Sequence, residues 1–174
     1  MRDYNVHGPY YVTETKYKVR NGKAGRPRTG RHYEVKSEEA QDFDGLKGRY
    51  GCYVFATKFG DDFTPWYVGK TTRTFDKEIF TPHKIGKLDE LRELRKRGKL
   101  YVLLIAPGRG RGAKNSTATN NMETFLVGAC HRVNPQLLNL QKLPKNAWAI
   151  VGVTRPKRGK RTDGERALQG FVGG

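Results

Sequence analysis

Two tyrosines stand in short strings of similar composition, Gly51-Cys52-Tyr53 and Tyr67-Val68-Gly69, fourteen positions apart. A phenol with its ordinary pKa of about 10 is a poor base at neutral pH, so proton transfer by either tyrosine needs a charged neighbour. Lys70 directly follows Gly69 and is the leading candidate, either as a cation beside a phenol or as the base itself. As purely structural residues, the two tyrosines would be strand aromatics with exposed hydroxyls.

A predicted β-hairpin positions these tyrosines. Residues 51–57 and 65–69 are apolar and rich in strand-forming residues, and the turn-forming stretch 58–62 joins them. A hairpin symmetric about Gly60 places Tyr53 opposite Tyr67, and the alternation of side chains then projects both rings from one face. One extra residue in the turn would change this pairing.

The carboxylate of Glu123 is the candidate metal ligand. It falls on the flank of a predicted helix, where it is expected to be half-buried at the edge of the core. A carboxylate can hold a hard divalent ion such as Mg²⁺, which keeps several of its waters. It can equally complement the positive end of the helix. The helix is predicted from about Thr119 to Val133, with a core face of Met122, Phe125, Leu126, Ala129, Cys130 and Val133.

The remaining elements predict a small α/β domain with a mixed sheet, in the order hairpin, helix, strand, helix, strand. Thr81-Pro82 is typical of a helix start, and Gly98 is a natural stop. Apolar residues at helical spacing, and the wholly apolar run 100–106, predict a helix followed by a central strand. Residues 148–153 predict a further buried strand. The apolar face of the first helix holds Ile85, Leu88, Leu91 and Leu94.

Basic extensions are expected on both sides of a domain spanning residues 46–153. Residues 1–45 are predicted to form a basic arm, with a hairpin as one form of it because residues 11–17 and 32–35 alternate. Residues 154–174 are predicted to form a flexible tail. Gly25-Arg26-Pro27 resembles the core of an AT-hook, although a loop that touches phosphate is the favoured interpretation. The candidate nucleic-acid contacts are Lys23, Arg26 and Arg28 in this part of the chain. Further candidates are Arg109, Arg111 and Lys114, between the predicted central strand and the second predicted helix.

The charge balance indicates a polyanionic partner. Lys and Arg number 34 against 17 Asp and Glu, which gives a formal net charge of +17. Each neutralised phosphate releases condensed counterions, so such an excess favours nucleic-acid binding. Cys52 and Cys130 are expected to be buried free thiols. No apolar run approaches the ~20 residues of a membrane span, and an intracellular, cytoplasmic protein is expected.

The order and spacing of these motifs resemble the GIY-YIG endonuclease domain. The resemblance rests on Gly51-Cys52-Tyr53, Tyr67-Val68-Gly69-Lys70, Glu123 on a downstream helix and Asn139 after Pro135-Gln136-Leu137-Leu138. It covers about residues 49–140. It implies that Glu123 holds Mg²⁺ or Mn²⁺, that a tyrosine helps to deprotonate the attacking water, and that Asn139 shapes the site by hydrogen bonding. From its position alone, Asn139 can as easily cap a turn.

One feature departs from the family pattern. The family has an arginine about two helical turns after the second tripeptide, whereas this chain has Lys77 and Glu78 near that position, and Arg73 lies too early. Lysine lacks the fork geometry with which arginine clamps phosphate. His83 fits the family's histidine position at the start of a helix, although a plain surface histidine is the alternative.

The expected function is metal-dependent hydrolysis of DNA phosphodiester bonds, with double-stranded DNA as the partner. Tyr53, Tyr67 and Lys70 would handle the nucleophile, and His83 with Lys77 or Arg73 would steady the phosphate. Lys70 can alternatively serve only as a phosphate contact at the rim of the hairpin. A DNA-binding protein with a defective site and a basic protein associated with RNA or the ribosome are the two alternatives.

Overall fold

The computed structural model describes residues 4–19, 28–71, 73–94, 97–108, 116–139, 159–160, 162–164 and 167–168. The chain divides into two compact units, residues 1–143 and 144–174. In the second unit, residues 163–164 and 167–168 are helical. The elements of the first unit are strands β1 (Tyr4–Val19) and β2 (Arg28–Val35), helix α1 (Ser37–Asp44), strands β3 (Gly51–Phe59) and β4 (Asp62–Thr71), helix α2 (Pro82–Leu94), strand β5 (Lys99–Pro107) and helix α3 (Ser116–Val133).

The first unit is a mixed α/β fold built on one five-stranded sheet. The strand order is β2-β1-β5-β3-β4, and every neighbouring pair is antiparallel. The prediction of a mixed sheet was therefore wrong. Strand β5 is central, as predicted for the apolar run 100–106, because it pairs with β1 on one side and with β3 on the other. Its buried side chains are Leu100, Val102, Leu104, Ile105 and Ala106.

The N-terminal segment is part of this sheet, whereas the sequence analysis expected a separate arm. Strand β1 pairs with β5 from Tyr4 to Val12, and β2 pairs with β1. The physical reason is apolar burial: Tyr10, Val12 and Tyr33 lie in the same core cluster as residues of the predicted domain. The pairing of β1 with β5 joins residues about a hundred positions apart, which local sequence patterns do not reveal.

Helices cover the sheet from both faces. One face carries a cluster that includes Tyr53, Phe55 and Tyr67 and is covered by Leu88 and Leu91 of α2. The opposite face carries Cys52, Val54 and Val68, which pack against Val127 of α3. Successive residues of β3 therefore enter two different cores, and every position from Gly51 to Thr57 is buried.

The β3–β4 hairpin does not have the predicted register. Tyr53 pairs with Gly69, and Tyr67 pairs with Phe55. Two one-residue differences cause this: the turn is centred between Gly60 and Asp61, and Trp66 forms a bulge in β4. Because the two shifts add to two residues, Tyr53 and Tyr67 remain on the same face as diagonal neighbours.

The helices confirm some predictions and correct others. Helix α2 begins at Pro82, as predicted, and buries Leu88 and Leu91. Helix α3 begins at Ser116, and its predicted core face was partly wrong because Phe125 and Val133 are exposed. The buried positions of α3 are Thr119, Glu123 and Val127. These residues repeat every four positions, and the apolar residues of this helix spread too widely around its axis for composition to identify the buried face.

Several predictions fall outside the described residues. They include the strand at 148–153 and the AT-hook-like sequence at 25–27. Of the candidate contact residues, Lys23, Arg26, Arg109, Arg111 and Lys114 lie there as well, and only the backbone of Arg28 is described. None of the described helices combines the length and apolar character that a membrane crossing requires.

Candidate active site at the edge of strand β4

The aromatic ring of Tyr53 lies across Gly69 on the outermost strand, β4. A Cβ atom at position 69 would collide with Cζ and the hydroxyl of Tyr53. Tyr53 is fully buried in the core, so its ring has no room to withdraw. A glycine is therefore required at position 69, and its absent side chain lets the Tyr53 hydroxyl reach the edge of the sheet.

The Tyr53 hydroxyl is buried without a hydrogen-bond partner among the described residues. Burial is the main reason that the pKa of Tyr53 is raised. The neighbouring Tyr67 phenol raises this pKa next, followed by the carboxylates of Glu78 and Glu123. Tyr53 is therefore a protonated phenol at neutral pH, able to donate a hydrogen bond at the site.

Tyr67 carries the second phenol, next to a lysine that the sequence analysis missed. The Tyr53 and Tyr67 rings stack with centroids 6.3 Å apart. Lys84 of α2 donates a 2.6 Å hydrogen bond to the Tyr67 hydroxyl, and its Nζ lies 3.5 Å from Oε1 of Glu78. Lys84 precedes Leu88 by one helical turn, and this spacing was the available signal that it faces the core side of α2.

Lys70 and Glu123 form the other part of the candidate site. Lys70 Nζ lies 3.4 Å from Oε2 of Glu123, and the Glu123 side chain is only 5% exposed. Lys70 also donates a hydrogen bond to Asn120, one turn earlier on α3. Lys70 therefore pairs with Glu123, the candidate metal ligand, whereas the sequence analysis predicted that this lysine acts beside Tyr53.

Two groups of side chains thus approach one edge from opposite faces of the sheet. Tyr53 and Tyr67 lie on the α2 face, whereas Lys70, which follows Gly69 and alternates with it, lies on the α3 face with Glu123. The charge of Glu123 nevertheless contributes to the raised pKa of Tyr53, so the two groups are within electrostatic range of each other.

Asn139 holds the backbone of β4 at this edge. Its side-chain Oδ1 accepts a hydrogen bond from Val68 N at 3.2 Å, and its Nδ2 donates to Val68 O. The preceding segment continues the contact, since Leu138 N donates to Trp66 O at 2.8 Å. The Asn139 amide therefore takes the place of a neighbouring strand and fixes β4 between Tyr67 and Gly69.

Other predicted site residues lie at the surface. Lys77 is exposed in the turn before α2, and His83 is exposed in the first turn of that helix. Arg73 is exposed just after β4, where its backbone N–H donates to the Thr71 hydroxyl at 3.0 Å. The lysine in contact with a site tyrosine is Lys84, the immediate neighbour of His83.

The donor set at this edge fits a hard divalent cation with few protein ligands. In the described parts of the chain, no group of three or more His, Cys, Asp or Glu side chains is placed to hold a metal ion. Mg²⁺ is commonly bound through one or two carboxylates, with waters and phosphate oxygens completing its shell. Glu123 offers one such carboxylate, now paired with Lys70. Mg²⁺ or Mn²⁺ therefore fits, whereas a zinc site with three or four protein ligands does not.

The charges around this edge are balanced in pairs. Lys70 lies against Glu123 and Lys84 against Glu78, so each lysine has a carboxylate partner.

Comparison of the chain with protein-family models, curated proteins and solved structures finds no match.

Proposed function

We propose that the protein is a divalent-metal-dependent endonuclease of the GIY-YIG type that hydrolyses phosphodiester bonds in DNA. The observation that carries the proposal is the grouping at the edge of β4. An almost fully buried carboxylate, Glu123, lies within electrostatic range of a buried phenol, Tyr53, on the opposite face of the sheet, and the Tyr53 hydroxyl has no hydrogen-bond partner among the described residues. Buried polar groups are normally satisfied, and a catalytic role or a bound water or ion is among the explanations for an exception.

The residues at this edge have distinct roles in the proposed reaction. Glu123 holds the metal ion, which when bound polarises a phosphate oxygen and stabilises the departing oxygen. Tyr53, as a protonated phenol, donates a hydrogen bond that orients the attacking water or a phosphate oxygen. Lys84 carries its positive charge beside Tyr67, where it stabilises the negative charge of the phosphate during attack.

Lys70 changes partner in this proposal. In the structure it neutralises Glu123 at 3.4 Å. If Glu123 held a divalent ion, the ammonium group of Lys70 would be repelled by that ion and would become available to a DNA phosphate. The ammonium group of Lys70 therefore supplies the opposite charge that a buried carboxylate needs as a partner.

A plasmid-nicking assay tests the assignment. Purified protein is incubated with supercoiled plasmid and MgCl₂, and nicked and linear products are resolved on a gel. Wild type is expected to nick the plasmid, and Glu123→Gln, which keeps the shape of the side chain but not its charge, is expected to lose at least a hundredfold in rate. Glu93→Gln is the matched control, because Glu93 is an exposed carboxylate on α2 and should leave the rate unchanged.

The same assay can contradict the proposal. Equal nicking by wild type and a folded Glu123→Gln variant would show that Glu123 is not the metal ligand. Circular dichroism on both variants verifies that a lost rate does not reflect lost folding. Nicking that persists in excess EDTA would exclude a metal-dependent enzyme.

A second candidate function is DNA binding without cleavage. The observation that favours it is the Lys70–Glu123 pair, because the carboxylate that would hold an ion is already paired with an ammonium group. This candidate predicts that wild type retains DNA in a strongly salt-dependent way yet nicks nothing with Mg²⁺ or Mn²⁺. The two candidates therefore give opposite results in one experiment.

A further inference from the structure

A row of aromatic side chains crosses the sheet at the other end of the β3–β4 hairpin. Tyr101 of β5 lies between Tyr11 of β1 and Phe63 of β4, with ring centroids 5.5 Å apart in both pairs. Phe63 is 39% exposed, and the two tyrosines are half-buried. These three rings, here termed the aromatic row, form a connected surface on three strands.

Two lysines accompany the aromatic row. Lys58 Nζ lies 5.3 Å from the Phe63 ring centroid, and Lys99 Nζ lies 5.6 Å from that of Tyr11. A groove of about 480 Å³ opens beside Tyr101, lined by both lysines, Phe59, Gly60 and Gly98. The surface therefore offers apolar ring faces and two cationic groups at the same place.

This surface is separate from the edge described above. Lys58 pairs with Phe63 next to the turn, whereas Tyr53 pairs with Gly69. Lys58 lies five positions along β3 from Tyr53, which corresponds to roughly 17 Å. The aromatic row thus touches none of the residues assigned to hydrolysis.

We propose that the aromatic row binds unpaired bases of a single-stranded nucleic acid. Bases stack on the exposed rings, and Lys58 and Lys99 contact the flanking phosphates. Paired bases within a duplex cannot offer their faces to these rings, so the surface discriminates single strands from double strands. The proposal goes beyond the endonuclease activity and does not depend on it.

Charge complementarity favours this occupant over a peptide. The two lysines flank the rings in a chain of net charge +17, which suits a ligand with one negative charge per residue. Asp61 lies 3.9 Å from Lys58 and is fully exposed. A pair this long and solvated competes weakly, and a phosphate can replace it.

The experiment measures binding of short labelled strands to the full-length protein by fluorescence anisotropy, in EDTA so that nothing is cleaved. The probes are oligo(dT) and oligo(U) of about 12 nucleotides and a DNA duplex of the same length. The double variant Phe63→Leu/Tyr101→Leu keeps apolar volume but removes both rings. It is expected to bind the single strands at least tenfold more weakly and the duplex within about twofold of wild type.

Controls separate stacking from folding and from general charge. Phe125→Leu removes an exposed aromatic ring from α3 and should leave single-strand binding unchanged. Lys58→Gln/Lys99→Gln should weaken binding and lower its salt dependence.

A folded Phe63→Leu/Tyr101→Leu variant that binds single strands as well as wild type overturns the proposal, as does an equal loss of affinity for duplex and single strand. Preference for oligo(dT) or oligo(U) shows which of the two strands the aromatic row binds more tightly, and because EDTA prevents cleavage, a failed nicking assay leaves this result intact.

Discussion

Tyr53 is the residue whose structural environment bears most directly on the proposed chemistry. Its ring is fully buried, yet its hydroxyl has no hydrogen-bond partner among the described residues. An unsatisfied buried polar group costs about 1–3 kcal/mol of folding free energy. A phenylalanine would fill the same space without that cost, so the hydroxyl is a destabilising feature for which the proposed reaction would give a reason.

Replacing Tyr53 by phenylalanine should therefore stabilise the fold and abolish cleavage. The expected gain at pH 7 is about 1 kcal/mol in the free energy of unfolding, measured by urea denaturation. A pH series provides a second readout. Because the pKa of Tyr53 is higher in the folded state than its ordinary value of about 10, the unfolded state loses this proton first as the pH rises above 10, and the free energy of unfolding of the wild type then declines. The variant should lose less stability than wild type between about pH 10 and 11.

Tyr67→Phe is the matched control for this prediction. The Tyr67 hydroxyl accepts a hydrogen bond from Lys84, so its removal leaves that ammonium with one partner fewer and should not stabilise the protein. Two phenol deletions on one face should thus change stability in different directions. If Tyr53→Phe were as destabilised as Tyr67→Phe, the Tyr53 hydroxyl would have a partner in solution, and its availability to a substrate would be excluded.

At the scale of elements, strand β4 determines whether the site forms. Gly69 lets the Tyr53 ring cross the strand, and the Asn139 amide pairs with the strand's outer edge at Val68. Both features act on consecutive residues of one strand. The position of the phenols relative to Glu123 therefore depends on the backbone of β4 more than on any single side-chain contact.

Gly69→Ala tests this dependence. The added methyl group would overlap the Tyr53 ring, which is packed on all sides, so we expect a loss of about 2 kcal/mol or more in unfolding free energy. Gly86→Ala is the control, because a Cβ there meets nothing within 4 Å and helix α2 gains from alanine by about 0.5–1 kcal/mol. Thermal unfolding of both variants gives the comparison. A neutral Gly69→Ala would mean that the Tyr53 ring does not lie over this position.

The sequence predicted these elements better than their relative placement. The two tyrosine strings, the helix start at Pro82 and the central strand were visible as local patterns. The bulge at Trp66 was not, because no residue preference distinguishes an extra residue within an apolar strand. The ion pair between Lys70 and Glu123 could not be predicted either. It joins a strand and a helix across the edge of the sheet, and it depends on which face of α3 is buried.

At the scale of the whole first unit, a network of charges connects the N-terminal hairpin to helix α2. Glu14 of β1 lies 3.2 Å from Arg31 of β2 and 3.1 Å from Arg92 of α2, and Arg31 also contacts Asp89 at 3.4 Å. The Tyr33 hydroxyl donates to Asp89 at 2.8 Å. The strands that the sequence analysis placed in a separate arm are thus tied to the helix that covers the candidate site.

Glu14→Gln should therefore weaken the unit as a whole. Glu14 is 15% exposed and serves two arginines, so removing its charge leaves both guanidinium groups without their central partner and should cost about 2 kcal/mol. Glu34→Gln is the control on β2, because its 4.0 Å contact with His32 is exposed and contributes little. Hydrogen exchange followed by mass spectrometry should show β1 and β4 losing protection together in Glu14→Gln, since one core joins them. Loss of protection in β1 and β2 alone would show instead that the N-terminal hairpin opens independently. The Glu14 network would then not be what holds α2 beside Tyr67.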